Sequence, residues 1–471
     1  MFERDDYTKY GLMITAIVTG VLLLLIPLPG FRAGGIVIKQ TNILSDIVDL
    51  SRDGELPVLM AAVVDTLPPA DRVEKRVDST KILPLERDVL INHPKVVEIE
   101  DYSDGEGVSM KDFYHALAFE SDERVVRIAM LGDSFIEGDI ISADLREQLQ
   151  NIYSGCGVGF VPFASAVTSY RKTIKHTFDG WETYTNIEQK NVPDDVRERF
   201  FVSCQQALPS HGAKATYEGV RAYKHISYAT TASLMFVNQR NSIINLIIND
   251  TITRQFAPEP SPDVQKICVD GMISKLSVHI DRPDGFYGYG VAFEDSSGVC
   301  VDNYSLRGNS GYALLSTAYN VNKQIDSIRT FDLMILEYGL NTISPHVHDY
   351  DYYALQMIKV IDYLKECFPH SAILVMGIGD RGSLRNGEFV TMPAVYAMIE
   401  AQRKAAKESR VAFWSTFDAM GGAESMATYV KKGWAAKDYT HIGYNGGKHI
   451  ATNLVQAIVK GRLEIEQDAI F

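Results

Sequence analysis

The chain contains 471 residues, of which 46% are hydrophobic and 23% are charged. This composition is typical of a globular protein and excludes a disordered or collagen-like chain. Acidic residues outnumber basic ones by 60 to 46, which gives a formal net charge of −14. That balance argues against nucleic acid or anionic lipid as a partner surface, because both require a basic patch on the protein.

An apolar segment over residues 10–31 follows a short tail of residues 1–9 and contains no charged side chain. As a helix, a segment of this length would extend about 33 Å, enough to cross a hydrocarbon core of roughly 30 Å. The segment therefore predicts a membrane anchor. A cleaved signal peptide is the alternative, although its apolar region would be shorter, about 7–15 residues, and would end at a small-x-small site.

The charges that flank the apolar segment do not orient it, because basic residues lie on both sides. Large carboxyl-terminal domains translocate largely regardless of their charge. We therefore expect a single-pass protein of the inner membrane with its catalytic part on the exported, periplasmic side. Residues 32–107 are polar and interrupted by prolines, which is typical of a stalk or linker.

Strand and helix patterns alternate in two stretches, 108–174 and 303–471. In the first, the apolar run Val125–Leu131 predicts a buried strand, and apolar residues at helical spacing from Ile141 predict the helix behind it. In the second, FDLMILEYG and SAILVMGIG read as strands and YYALQMIKVIDYLKECF as an amphipathic helix. This alternation predicts an α/β fold with a parallel sheet covered on both faces.

Residues 175–302 differ, because β-type runs recur there between Gly, Pro, Asn and Asp residues. They predict an inserted β-sandwich. Five of its aromatic residues fit either stacking on sugar rings or simple packing: Trp181, Tyr217, Tyr223, Tyr287 and Tyr289. The cysteine number is odd and no Cys/His metal spacing occurs, so a free thiol is expected and a structural zinc site is not. A disulfide between Cys268 and Cys300 stays open, because spacing cannot decide it.

Four polar clusters lie where a predicted strand ends or a helix begins, the edge at which open α/β sheets bind ligands. They are Gly132-Asp133-Ser134, Gly308-Asn309-Ser310-Gly311, Gly339-Leu340-Asn341 and Asp438-Tyr439-Thr440-His441. Two similar patterns, Asp112–His115 on a predicted helix and Gly443–Asn445 at a helix start, are interpreted as structural.

Ester hydrolysis requires a nucleophile, a base, a group that orients the base, and donors for the oxyanion. We expect Ser134 to attack, His441 to take its proton and Asp438 to orient the imidazole. The predicted oxyanion donors are the backbone N–H groups of Ser134 and Gly311 and the side-chain amide of Asn341. Gly308 is the alternative to Gly311. This chemistry needs no metal and no organic cofactor.

In this order the four clusters resemble the SGNH (GDSL) hydrolase superfamily. The resemblance implies a three-layer α/β/α sandwich with a flavodoxin-like sheet, in which Ser134, Gly311, Asn341 and His441 are the block residues and Asp438 completes the triad. The runs FYHALAF, VVRIAMLGDSFIEGD and GCGVGFVP are similar to the peptidoglycan O-acetylesterase branch, which carries a β-rich module between the Ser and Gly blocks.

The resemblance implies a serine esterase that removes O-acetyl groups from a cell-envelope polysaccharide, with peptidoglycan as one candidate, and the apolar segment over 10–31 predicts that it is membrane-anchored. Two other functions stay open. One alternative is an O-acetyltransferase, which passes the acyl group from a membrane partner to a glycan hydroxyl. The other is a non-catalytic envelope protein that binds glycans. The sequence does not report whether water reaches Ser134, which would separate hydrolysis from transfer.

Overall fold

The computed structural model describes residues 31–33, 36–38, 85–90, 96–188 except 104 and 106, 190, and 192–468. The predicted tail over 1–9, nearly all of the predicted anchor over 10–31 and most of the predicted linker over 32–107 therefore lie outside the described residues. Within the described part of the chain, no helix combines the length and the apolar composition that crossing a bilayer requires. Two short strands, β1 (Phe31–Ala33) and β2 (Ile36–Ile38), pair with each other in antiparallel register.

The other strands are, in chain order, β3 (Glu100–Asp101), β4 (Val125–Gly132), β5 (Gly159–Pro162), β6 (Ile174–Thr185), β7 (Gln205–Gly219), β8 (Ala229–Asn238), β9 (Ile243–Ile248), β10 (Ile252–Phe256), β11 (Ser261–Ile273), β12 (Lys275–Asp281), β13 (Phe286–Glu294), β14 (Gly298–Ser305), β15 (Leu333–Glu337), β16 (Ala372–Met376), β17 (Gly382–Arg385), β18 (Glu388–Thr391) and β19 (Ala412–Trp414). A helical segment also covers 85–90. The main helices are α1 (Met110–Phe119), α2 (Ser142–Tyr153), α3 (Asp194–Arg197), α4 (Tyr319–Ile328), α5 (Asp351–Cys367), α6 (Pro393–Glu408), α7 (Thr416–Met420), α8 (Ser425–Lys431) and α9 (Tyr444–Asp468).

A mostly parallel sheet forms the centre of the fold, with the strand order β14-β4-β15-β16-β19-β3. Five of its strands are parallel, and β3 pairs antiparallel with β19 at one edge. Every residue of β15 and β16 is buried, and helices pack against the sheet, with α2 on β14 and α6 on β16 and β19. Among these helices, α9 packs on α1 and α2, and α5 packs on α6. The predicted mixed α/β architecture is confirmed.

A second sheet of nine antiparallel strands has an apolar core of its own. Its strands belong to one hydrogen-bonded network that branches at β7 and β13, whereas the sequence predicts an inserted β-sandwich. The chain also changes sheet earlier than the predicted limits of 175 and 302. Strand β5 pairs with β13 in the antiparallel sheet, while β14 pairs with β4 in the parallel one.

The aromatic residues of this region serve mainly as packing groups. Tyr217, Tyr287 and Tyr289 are buried, Trp181 stacks on the ring of Phe163, and Tyr223 donates its hydroxyl to Asp144. None of the five cysteines, all of which the structure describes, forms a disulfide. Cys268 is exposed while Cys300 is buried, so the disulfide left open by the sequence is not formed.

The register of the parallel strands brings three of the polar clusters to one edge. Gly132 at the end of β4 lies opposite Glu337 of β15 and Ser305 of β14. The loops that follow these three strands therefore leave the sheet side by side. A side chain at position 132 has no room, because a Cβ atom there would lie 2.8 Å from the Glu337 carbonyl oxygen.

Candidate active site

Ser134 and His441 meet although 307 positions separate them in the sequence. Ser134 lies in the tight turn after β4, and His441 lies in the loop before α9. The Ser134 Oγ atom is 3.2 Å from His441 Nε2. This distance allows the imidazole to accept the hydroxyl proton when the serine attacks a carbonyl group.

The other ring nitrogen of His441 faces Asp438. His441 Nδ1 lies 2.7 Å from Asp438 Oδ2, and the backbone N–H groups of Thr440 and His441 donate to Asp438 Oδ1 over 2.9 and 3.0 Å. Burial alone would raise the pKa of the Asp438 carboxyl, but these hydrogen bonds outweigh it and hold the pKa below its ordinary value. The carboxylate therefore stays charged and fixes the orientation of the imidazole.

The loop that carries this pair is braced by the hairpin of β17 and β18. Gly382 donates its backbone N–H to the Tyr439 carbonyl over 2.9 Å, and the ring of Phe389 stacks on the ring of Tyr439. This hairpin lies outside the four polar clusters that the sequence predicts to form the site. Its turn, Asn386-Gly387, has positive φ at both residues, and an Asn-Gly pair between alternating residues is a hairpin signal that the sequence contains.

Asp133 stabilises the tight turn that carries Ser134. Its side chain is buried, and its two oxygens accept hydrogen bonds from the Phe135 backbone N–H over 2.9 Å and from the Asn341 amide over 2.7 Å. Burial raises the pKa of Asp133 to about 6, although both of these hydrogen bonds act to lower it. Asp133 therefore ties the loop after β4 to the loop after β15.

The predicted oxyanion donors differ in their position relative to the cleft and in their hydrogen-bond partners. Asn341 lines the cleft with Ser134, but its amide donates to Asp133 and to the Asn309 carbonyl, the latter over 3.1 Å. The backbone N–H of Gly311 donates to the side chain of Asn309 over 2.9 Å. Gly311 is therefore not a free donor in this conformation, because the neighbouring asparagine takes up its N–H group. Gly308, the alternative, has a φ of 80° and open space around it.

A cleft of about 240 Å³ opens above the serine. Its lining consists of Ser134, Phe135, Leu340, Asn341, Ile343, Arg381, Thr440 and His441. Arg381 is missing from the sequence-based site. It follows the strand β16, and its Nη1 donates to the Leu340 carbonyl over 3.1 Å. A cation in the loop that follows a buried strand of the parallel sheet is the sequence signal that points to it.

Below Asp133 lies a second acid, Glu337, at the end of β15. It is fully buried, and neither of its side-chain oxygens has a hydrogen-bond partner. Burial raises the pKa of Glu337 well above its ordinary value, and the nearby Asp133 carboxylate raises it further. Burial without a hydrogen-bond partner therefore favours the neutral form of the Glu337 side chain.

The two similar sequence patterns, Asp112–His115 and Gly443–Asn445, have structural roles. Asp112 accepts a hydrogen bond from the Ser109 backbone N–H over 2.8 Å and so caps α1, and His115 contacts Glu120 on the surface of the protein. Gly443 donates to the Trp434 carbonyl just before α9. Neither pattern contributes a residue to the lining of the serine cleft.

Comparison with known proteins matches this chain to a solved structure of a peptidoglycan O-acetylesterase. The match has 20% sequence identity and a TM-score of 0.63, and it covers 78% of this chain and 99% of the other. The two chains share a fold. This confirms, at the level of the fold, the resemblance that the four clusters predict.

Other solved structures match much more weakly. A family two carbohydrate esterase from Cellvibrio japonicus has 10% identity and a TM-score of 0.25, covering 61% of this chain and 98% of its own. A family two carbohydrate esterase from Clostridium thermocellum has 11% identity and a TM-score of 0.25, covering 55% and 95%. Scores this low carry no argument about this chain. No protein-family model matches the sequence, and the comparison with curated proteins gives no match.

Proposed function

We propose that this protein is a serine esterase that hydrolyses O-acetyl esters on a cell-envelope polysaccharide, with peptidoglycan as the first candidate. The observation that carries the proposal is the continuous contact from Ser134 through His441 to Asp438, at 3.2 and 2.7 Å. A hydroxyl, an imidazole and a carboxylate in this order form the arrangement that activates a serine for acyl transfer.

In the first half of the reaction, Ser134 Oγ bonds to the acetyl carbonyl carbon while His441 Nε2 takes the hydroxyl proton. The carbonyl π electrons move onto the oxygen, and the Asp438 carboxylate stabilises the imidazolium. When the tetrahedral intermediate collapses, the bond to the sugar oxygen breaks and His441 returns the proton to that oxygen. Water then attacks the acetyl-serine in the same way and releases acetate.

The developing oxyanion needs hydrogen-bond donors. In the resting site, some of the candidate donors are hydrogen-bonded to other groups. We propose that the Ser134 backbone N–H and the Asn341 amide supply the donors. Asn341 donates to the Asn309 carbonyl in the resting site, and exchanging that partner for an oxyanion strengthens the bond in the transition state, because a charged acceptor forms a stronger hydrogen bond.

The proposal includes an SGNH-type assignment, with a three-layer α/β/α arrangement around a flavodoxin-like sheet. It is supported by the order of the four clusters and by the fold shared with the O-acetylesterase structure. It also includes an anchor over residues 10–31 and an exported catalytic part in the periplasm. These last two points rest on the sequence pattern alone.

Hydrolysis is favoured over transfer by the exposure of the catalytic pair. The side chains of His441 and Asp438 are 44% and 49% exposed, so water reaches the base that would activate it. An O-acetyltransferase must instead keep water away from the acyl-enzyme while it delivers the acyl group to a glycan hydroxyl.

The test is acetate release by the full-length chain in detergent from purified, O-acetylated peptidoglycan. We expect release from the acetylated polymer and none from the same polymer after mild alkaline de-esterification. A parallel reaction with a non-acetylated glycan acceptor measures transfer. Acetyl groups that appear on the acceptor faster than free acetate would favour the transferase, and glycan binding without either product would overturn both.

A further inference from the structure

We infer that Arg381 is a specificity-determining residue that binds a carboxylate carried by the acetylated substrate. This inference rests on the proposed esterase function and narrows its substrate class to acetyl esters on acidic glycans. The guanidinium group lines the same cleft as Ser134 and His441. A group held by Arg381 is therefore part of the molecule whose ester bond faces the serine.

The backbone around Arg381 is fixed on both sides. The Met392 backbone N–H donates to the Arg381 carbonyl over 2.8 Å, and the next residue, Gly382, donates to the Tyr439 carbonyl. The side chain adds a bond from Nη1 to the Leu340 carbonyl. Because these hydrogen bonds fix the backbone at Arg381, binding of a ligand by its guanidinium costs less conformational entropy than binding by an arginine on an unconstrained loop.

The remaining donors of Arg381 have no carboxylate partner among the described residues. The adjacent acid, Asp380, is buried and accepts from the Met426 backbone N–H over 2.8 Å. Buried arginines elsewhere in the protein behave differently, since Arg329 pairs with both Asp302 and Glu294. An arginine that donates to a single neutral acceptor still has most of its guanidinium N–H donors available for an anionic ligand in the cleft.

The chemistry of the cleft favours a carboxylate at this position. Arg381 is the one permanently charged side chain among the residues that line it, and the other lining side chains are apolar or neutral, apart from the imidazole of His441. The whole chain carries a formal charge of −14, so an acidic glycan is repelled at long range. A fixed guanidinium in the cleft reverses this locally and binds a carboxylate through two parallel hydrogen bonds.

The test compares two forms of one substrate. O-acetylated peptidoglycan fragments with free carboxylates are divided, and one half is converted to neutral methylamides by carbodiimide coupling. The measured quantity is the ratio of kcat/KM for the acidic form to kcat/KM for the neutral form. We expect the wild type to prefer the acidic form and R381Q to lose about tenfold or more of that ratio, mainly through KM.

Two further variants separate a contact from general charge. R381K keeps the charge without the planar fork and is expected to retain only part of the preference. R385Q removes the same charge from the exposed end of β17 and is expected to keep the wild-type ratio. Thermal unfolding of each variant checks that the fold is retained.

The outcomes are distinct. An equal loss of kcat/KM on both substrates in R381Q would show that Arg381 only holds the Leu340 carbonyl, and it would overturn the inference. An equal fall of the ratio in R385Q would overturn it as well, because net charge would then suffice. A wild type that cleaves both forms equally would refute the carboxylate site and leave the esterase standing, whereas release of acetate from neither form would refute the esterase itself.

Discussion

The ring of Phe389 lies flat on the ring of Tyr439, with the two centroids 3.5 Å apart and the planes within 7°. Tyr439 stands between Asp438 and His441 and has a φ of 53°, a left-handed conformation that is uncommon for a bulky side chain. A residue in this conformation persists only when its surroundings hold it. The hairpin of β17 and β18 therefore helps to fix the position of Asp438 relative to His441.

Replacing Phe389 by alanine tests this brace. Aromatic pairs contribute about 0.5–1.5 kcal/mol beyond the area that they bury. We therefore expect Phe389→Ala to lower kcat roughly two- to tenfold on a small acetyl ester, because the imidazole spends less time aligned with Ser134. Leu384→Ala is the matched control, since Leu384 lies on the same hairpin and is 65% exposed. Equal kcat values for the wild type and Phe389→Ala would show that the loop with Asp438 and His441 keeps its conformation without the ring of Phe389.

The proposed nucleophile and base, Ser134 and His441, give the largest expected effect. Ser134→Ala and His441→Ala should each lower kcat by at least about a thousandfold, because the nucleophile or its base is lost. The double variant should be little worse than either single one, since the two residues act as a unit. His115→Ala is the control, because His115 belongs to the other Asp-x-x-His pattern and contacts Glu120 on the surface. Substantial turnover by Ser134→Ala would point to another nucleophile.

Asp438→Asn separates charge from shape. The amide fills the same space, but it can no longer balance the imidazolium and can present an N–H group to His441 Nδ1, which favours the wrong tautomer. We expect kcat to fall roughly a hundredfold or more, with KM nearly unchanged. The comparison with Asp112→Asn, a helix-capping acid, controls for the general effect of removing a carboxylate. A KM effect without a kcat effect would place Asp438 in binding instead.

Asn341 is expected to act in the transition state. Truncation by Asn341→Ala should lower kcat by about a hundredfold, the usual cost of removing one oxyanion donor. Asn445→Ala is the matched control, because Asn445 lies in the second Gly-x-Asn pattern, at the start of α9. If Asn341→Ala instead lowered only the thermal stability, its bonds to Asp133 and Asn309 would be its whole role.

The sequence predicts the parts of the site that depend on local pattern. Buried apolar runs mark β4 and β15, and parallel strands place their carboxyl ends at the same edge. For this reason the loops of Ser134 and Asn341 were expected together, and they share the hydrogen bond from Asn341 to Asp133. Asp438 and His441 are three residues apart, so one loop conformation brings them into contact.

Contacts that depend on loop conformation or on the packing of distant segments do not follow from the sequence pattern. The N–H of Gly311 is taken by the side chain of Asn309, a competition that depends on the conformation of the loop after β14. The brace on Tyr439 depends on how a hairpin some fifty residues earlier in the chain packs. Arg381 lines the cleft next to Gly382, whose backbone N–H bonds to the Tyr439 carbonyl in the loop that carries His441. Sequence spacing carries no information on such side-chain geometry.

The paired acids under the serine turn predict a specific dependence of stability on pH. Burial raises the pKa of Glu337 well above its ordinary value of 4.5 and that of Asp133 from 3.8 to about 6. Between the unfolded and folded pKa values the folded protein binds more protons than the unfolded chain. The free energy of unfolding contributed by these groups therefore falls as the pH rises from about 4 through 6 and, for Glu337, beyond.

Glu337→Gln removes one of these titrations and keeps the shape of the neutral acid. We expect the variant to gain stability relative to the wild type as the pH rises from 4.5 to 8, as measured by urea unfolding at each pH. Glu294→Gln is the matched buried control of opposite sign. Burial would raise the pKa of Glu294, but Arg329 and Arg127 lower it to about 2, so this variant should be less stable than the wild type at pH 7. A difference between Glu337→Gln and the wild type that stays constant across this range would mean that Glu337 ionises normally, in which case water must reach its buried oxygens.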